Sequence, residues 1–63
     1  MTKLEQLRRE RGWSRSELSH RAKLTGSVLN LIETRRFIPY AVQLQRIADA
    51  LDAEARTLLD EVE

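Results

Sequence analysis

Apolar residues recur along this chain at the three- and four-residue spacing of amphipathic helices, beginning with Leu4 and Leu7. The stripe continues to Gly12, a residue type that readily takes the left-handed conformation in which helices commonly end. The pattern therefore predicts a first helix at 2–11.

A start signal indicates a second helix at 15–22. Ser14 can cap it, and Glu17, three residues on, can reach back to the amide of the cap, as in a capping box. Trp13 and Leu18 flank this signal and can pack together as a hydrophobic staple. This favours packing of Trp13 in the core over an exposed position in which its ring stacks on a nucleobase.

A short turn precedes a third predicted helix at 26–33, for which Thr25 can serve as the N-cap. Two more helices are predicted after it. The residues from Val42 to Leu51 keep the helical period, and Asp52 can cap a fifth helix. The apolar residues of that fifth helix are Ala55, Leu58, Leu59 and Val62.

The fold class predicted is all-α, a compact five-helix bundle forming one domain over residues 1–63. A loop between the third and fourth helices contains Phe37, Ile38 and Tyr40. These side chains either cover the core or belong to an exposed dimer patch, and the pattern leaves both interpretations open.

Charge is unevenly distributed, although the net charge is only +1. Residues 1–40 contain nine Lys/Arg and four Glu, a balance of +5, whereas residues 41–63 contain two Arg and six acids, a balance of −4. This separation indicates one basic face suited to a polyanion and another that avoids it.

Composition argues against several classes of protein. With no cysteine and one histidine, His20, we expect no disulfide, no metal site and no cofactor. There is no recognisable Ser-His-Asp spacing and no glycine-rich phosphate loop, so we do not expect an enzyme. Neither a signal peptide nor a run of roughly 18 apolar residues is present, and we expect a cytoplasmic protein with no membrane association.

Motifs in a fixed order resemble the Cro/cI-type (XRE-like) helix-turn-helix family of DNA-binding proteins over nearly the whole chain. They are Leu-x-x-Leu-Arg in the first helix, Gly12-Trp13-Ser14-x-x-Glu17-Leu18, Ala22, Thr25 followed by Leu29, Ile32-Glu33, Pro39 and Leu44-x-x-Ile47-Ala48-x-Ala50-Leu51. The resemblance implies a lambda-repressor-like domain with the helix-turn-helix at helices two and three.

Site residues follow from the resemblance by position. Arg15 stands where the family usually has a Gln that grips a phosphate. The positions that resemble base readers are Gly26, Ser27, Asn30 and Leu31. Thr25 and Thr34 match positions that contact the DNA backbone.

Two departures from the family add positive charge. Lys23 and Arg35 stand where many relatives have glycine, and a left-handed conformation at Lys23 would cost about 1 kcal/mol or somewhat more. Together with Arg36 they can hold the DNA backbone. The resemblance also implies an ion pair between Arg8 and Glu33, which positions the third helix.

The partner predicted is double-stranded DNA, bound by a homodimer. We expect the protein to act as a small transcriptional regulator, and specifically as a repressor. The fifth helix is the candidate dimer interface, through Leu58, Leu59 or Val62. The alternative is a protein-interaction module, such as an antitoxin or co-regulator, that uses the same fold.

Overall fold

A computed structural model describes residues 1–25 and 27–62 of the 63-residue chain. These residues form four α-helices and one 3₁₀ turn: α1 (Lys3–Glu10), α2 (Arg15–Arg21), α3 (Val28–Glu33), α4 (Ala41–Leu51) and the turn Ala55–Thr57. The prediction of an all-helical fold is confirmed for the first four helices. In the described residues, no helix has the length and apolar character needed to cross a bilayer.

The core draws on every α-helix and on the segment after the 3₁₀ turn. Its largest fully buried side chains are Leu4, Leu18, Leu29, Ile47, Leu51 and Leu58. Trp13 and Phe37 are half-buried and pack against this core. The three- and four-residue spacing seen in the sequence therefore reports the buried faces correctly in α1 to α3 and at Ile47, Ala48 and Leu51 of α4, whereas Val42, at the start of the predicted stripe of α4, is exposed.

Short polar side chains cap the first two helices. Thr2 Oγ1 accepts the Glu5 amide at 3.2 Å, and Ser14 Oγ accepts the Glu17 amide at 3.0 Å. The Glu17 carboxylate accepts a hydrogen bond from Arg21 Nε at 2.7 Å. Of the predicted capping box, the structure thus shows the serine bond.

All four helices end in the same way. A residue with positive φ follows each one: Gly12 (72°), Lys23 (59°), Arg35 (63°) and Asp52 (53°). The amide after each of these residues bonds to the carbonyl five positions earlier, at distances between 2.8 and 3.2 Å. This is the Schellman arrangement, in which the left-handed position usually belongs to glycine. Here a charged residue takes that position at three of the four ends.

The predicted fifth helix is wrong. After the 3₁₀ turn the chain runs antiparallel to its own N-terminus, with an isolated bridge between Thr2 and Glu61. The amides of Lys3 and Leu4, at the start of α1, donate to the carbonyls of Asp60 and Leu58 at 2.8 Å each. Helix N-termini leave their first amides without partners inside the helix, and the C-terminal segment supplies those partners.

This arrangement also changes the expected dimer surface. Leu58 is fully buried, so it cannot offer apolar surface to a second copy. Leu59 is exposed and Val62 is partly exposed. Of the three candidates, Leu59 is the one that presents a large apolar side chain to solvent.

Candidate nucleic-acid interface

Helices α2 and α3 form a helix-turn-helix. The turn begins at Lys23, whose amide donates to the His20 carbonyl at 3.2 Å, while the Leu24 amide donates to the Ser19 carbonyl at 2.9 Å. These two bonds close the end of α2 and redirect the chain toward α3. Lys23 takes the place of the family's glycine, and the structure shows it in the left-handed conformation that was considered for it above.

Helix α3 begins later than predicted, at Val28 instead of residue 26. Ser27 is its N-cap residue and makes no side-chain capping bond, so the predicted cap at Thr25 is wrong for the helix as observed. The Thr25 carbonyl accepts the Val28 amide at 3.3 Å, a turn bond that leads into the helix. Gly26, a predicted base reader, lies outside the described residues.

The two faces of α3 differ in the way the sequence pattern predicts. Leu29 and Ile32 are buried and face the core. Ser27 and Asn30 are exposed, and Leu31 is half-buried. A surface made of Ser27, Asn30 and Leu31 is therefore available to a partner, and we call it the α3 outer face.

A buried carboxylate fixes α3 to the rest of the domain. The Glu33 side chain has no exposed surface, and Arg8 donates to it twice, from Nε to Oε2 at 2.8 Å and from Nη2 to Oε1 at 3.1 Å. Arg8 also donates from Nη1 to the Trp13 carbonyl at 2.8 Å. The ion pair expected between α1 and α3 is present.

Arg15 shares the same carboxylate. Its Nε donates to Glu33 Oε1 at 2.9 Å, and its Nη1 donates to Asn30 Oδ1. The Arg15 side chain is 40% exposed, so it lies at the edge between the buried ion pair and the α3 outer face. The sequence did not reveal this connection, because it depends on how two helices pack.

Three more of the predicted residues lie just beyond α3. Thr34 Oγ1 donates to the Asn30 carbonyl at 2.8 Å. Arg35 pairs with Glu61 of the C-terminal segment. The sequence pattern missed this partner, because it placed Glu61 on a fifth helix. Arg36 is exposed and makes no ion pair with another described residue.

All described members of the predicted site are thus exposed or half-buried, on α2, α3 and the turns that follow them. They are Arg15, Lys23, Thr25, Ser27, Asn30, Leu31, Thr34, Arg35 and Arg36.

Two guanidinium groups contact the ring of Trp13, which the sequence did not indicate. Arg11 and Arg21 place their Cζ atoms 5.3 Å and 4.3 Å from the ring centroid. Such cation–π contacts are worth roughly 0.5–1 kcal/mol each at exposed sites. The ring is half-buried, and its contacts connect the loop after α1 to α2, which agrees with a structural role.

The apolar residues of the loop before α4 were expected either to cover the core or to belong to an exposed patch, and the structure shows both arrangements. Phe37 is half-buried against the core and meets Tyr40 edge to face, with ring centroids 5.7 Å apart. Ile38 and Tyr40 are 83% and 69% exposed. Phe37 therefore covers the core, while its two neighbours form part of an exposed apolar surface.

The described residues include no group of three or more His, Asp or Glu side chains placed to hold a metal ion. The arrangement offers hydrogen-bond donors and positive charge around an exposed helix face. Such a surface is chemically suited to binding a polyanion through its phosphates and base edges.

Comparison with known proteins agrees with the geometry. A family model described as "Helix-turn-helix domain" matches residues 2–62. The chain is also 37% identical over 60 residues to the HTH-type transcriptional regulator SinR of Bacillus subtilis (strain 168). The match covers 94% of this chain and 54% of that relative, so the chain spans about half of the relative's length.

The chain belongs to the Cro/cI-like helix-turn-helix family of DNA-binding domains. The family inferred from the sequence motifs is thereby confirmed.

Proposed function

We propose that this protein binds double-stranded DNA sequence-specifically as a small transcriptional regulator, with α3 in the major groove. The observation that carries the proposal is the α3 outer face, whose residues Ser27 and Asn30 are exposed beside the cations of the neighbouring turns. A helix presented in this way, with flanking phosphate contacts, is how helix-turn-helix domains read a duplex.

Charge supports the same conclusion. Of the four acids in residues 1–40, Glu33 is buried between two arginines, and Glu5 and Glu17 are paired with Arg9 and Arg21. Lys23 and Arg36 make no ion pair with other described residues. The carboxylates of this half are therefore largely compensated within the domain, and positive charge is left for a polyanion.

DNA binding is tested by selecting bound sites from random duplexes, followed by titrations at several salt concentrations. Two protomers offering Lys23, Arg36 and their neighbours should contact about four to eight phosphates. The plot of log affinity against log salt should therefore have a slope between about −4 and −7.

Substitutions separate the roles of the residues. Arg36→Ala should weaken binding to all sequences about equally, whereas Asn30→Ala should change the preferred sequence. Arg56→Ala is the matched control, because Arg56 is an exposed arginine on the 3₁₀ turn that pairs with Glu54. Equal effects of Arg36→Ala and Asn30→Ala would contradict the assigned roles.

We further propose that the protein acts as a homodimer. Ile38, Tyr40, Val42 and Leu59 are large apolar residues exposed in a single copy. A groove of about 430 Å³ lies between the loop before α4 and the C-terminal segment, with Arg35 and Glu61 among its lining residues. Ile38 and Leu59 line the same groove, so a two-fold axis can bring the apolar patch of one protomer against that of the other.

Oligomeric state tests this surface. Size-exclusion chromatography with light scattering should give the mass of a dimer for the natural chain and of a monomer for Leu59→Glu. Arg56→Ala is again the control and should remain a dimer. Operators should contain two half-sites about 34 Å apart, one turn of DNA. A natural chain that stays monomeric on and off DNA would disprove the dimer.

Repression is the proposed outcome of binding, because a dimer seated on an operator blocks access to the DNA beneath it. A reporter gene behind the selected operator should be expressed less when the protein is present. Increased expression would contradict repression without affecting the proposal of DNA binding.

A second candidate function is protein recognition, as in an antitoxin or co-regulator. The exposed Ile38 and Tyr40 favour it, since unpartnered apolar side chains are typical of protein-binding surfaces. A flat salt profile together with no enriched sequence would support this candidate over DNA binding.

A further inference from the structure

A chain of polar contacts extends from α1 to the α3 outer face. It runs from Arg8 to the buried Glu33, from Glu33 to Arg15 and from Arg15 to Asn30. Each member is held by the previous one, and this chain of contacts ends at the exposed side chain of Asn30. The position of Asn30 is thus tied to the domain's buried ion pair.

The chemistry of Arg15 decides which way round the Asn30 amide lies. A guanidinium has donors and no acceptor, so the amide atom that faces it must be the oxygen, Oδ1. The amide nitrogen Nδ2, with two donors, makes no hydrogen bond to another described residue. Asn30 therefore has both amide donors free, while Arg15 takes up one of the two lone pairs of its acceptor.

This matters for reading a base pair. A free asparagine recognises adenine by using both amide atoms, accepting from N6 and donating to N7. When Arg15 holds Oδ1, that oxygen is directed toward the guanidinium and has one lone pair left, so the acceptor half of that pattern is weakened. What remains suits a base edge made of acceptors, and guanine presents two in the major groove, N7 and O6.

Arg15 adds to the same preference. Its Nε and one Nη1 hydrogen are used, which leaves three N–H groups on a side chain that is 40% exposed. These donors and their charge also favour a base edge rich in acceptors. Together, Arg15 and Asn30 make a patch in which free donors outnumber acceptors.

We propose that Asn30, held by Arg15, selects guanine in place of adenine, so that Arg15 is a positioning residue for specificity as well as a cation. The inference rests on the proposed binding of DNA by the α3 outer face.

The test compares sites selected by four forms of the protein. Selection with the natural chain and with Asn30→Ala identifies the base position that depends on Asn30. The natural chain should prefer guanine there by about tenfold over adenine. Arg15→Met, which keeps length and removes the donors, should shift the preference to adenine. Arg36→Met removes the same charge elsewhere, and it should lower affinity without changing the preferred base.

A second measurement uses the natural chain alone, so it does not depend on a variant's folding. Replacing the selected guanine by 7-deazaguanine removes the N7 acceptor and should weaken binding by about tenfold. The same replacement should change the DNA affinity of the Asn30→Ala variant only slightly.

The outcomes are distinct. Adenine at the Asn30-dependent position of the natural chain overturns the inference, as does an unchanged preference in a folded Arg15→Met or an unchanged affinity for 7-deazaguanine. In these cases the proposed function still stands. Failure of the natural chain to enrich any duplex overturns the proposed function and the inference with it.

Discussion

Arg8 of α1 and Glu33 of α3 are joined by two hydrogen bonds, at 2.8 and 3.1 Å, across 25 residues of chain. Both residues are buried, at 8% exposure each. Removing one charge from a buried pair leaves the other without compensation and typically costs about 3–5 kcal/mol.

The first prediction concerns this pair. Glu33→Gln should lower the free energy of unfolding by about 3 kcal/mol, because Arg8 then stays buried opposite a neutral amide. Urea denaturation followed by circular dichroism measures the change. Glu54→Gln provides the control, since its partner Arg56 is exposed and such pairs contribute little. Similar losses in the two variants would show that burial of the pair does not matter.

The second prediction concerns the left-handed residues that end the helices. Lys23→Gly should raise the free energy of unfolding by up to about 1 kcal/mol, because glycine removes the steric cost of a φ of 59°. The same change should weaken DNA binding if Lys23 contacts a phosphate. Thermal denaturation and a DNA titration measure the two effects.

Asp52→Gly is the matched substitution away from the helix-turn-helix. Aspartate tolerates the left-handed region better than lysine, so the gain in stability should be smaller. DNA binding should not change. If Lys23→Gly stabilises the protein and binds DNA as before, Lys23 is not a phosphate contact.

The third prediction concerns the C-terminal segment. Leu58→Ala should lower the free energy of unfolding by about 2–5 kcal/mol, because the side chain is fully buried. Leu59→Ala, one residue along, should have little effect on a single copy and should weaken the dimer. Denaturation at low and high protein concentration distinguishes the two. A small effect of Leu58→Ala would mean that the segment is not part of the core.

The fourth prediction concerns Glu61, the partner of Arg35. Glu61→Gln should free Arg35 for the DNA backbone, which tightens binding at low salt and steepens the slope of log affinity against log salt by about one per protomer. Glu54→Gln removes an equal charge from the 3₁₀ turn region and should leave the slope as it was. Matching slopes for the natural chain and Glu61→Gln would show that Arg35 does not reach a phosphate.

Local signals explain how much of the fold could be predicted. Ser14 and Gly12 mark a helix start and a helix end through bonds within a few residues, so α1 and α2 were placed to within one residue. The segment after Asp52 has good helix-forming residues and the right spacing, and it is still not an α-helix. Its carbonyls bond to the amides of Lys3 and Leu4, which are distant in sequence and invisible to a local pattern.

The candidate site follows the same division. The exposed face of α3 could be predicted, because the buried Leu29 and Ile32 define the opposite face by periodicity. The contact between Arg15 and Asn30 could not, because it depends on the packing of α2 against α3 and on side-chain rotamers. The family resemblance supplied the role of Glu33, and Arg15 as its second partner emerged only in the structure.

The pairing of the chain's two ends has a practical consequence. Met1 and Val62 exchange hydrogen bonds of 3.2 and 2.8 Å, and Glu61 beside them pairs with Arg35. A purification tag or a fluorescent label at either end would therefore emerge next to the loop that follows α3. Affinities should be measured on untagged protein, and a dye placed there would respond to events at Arg35.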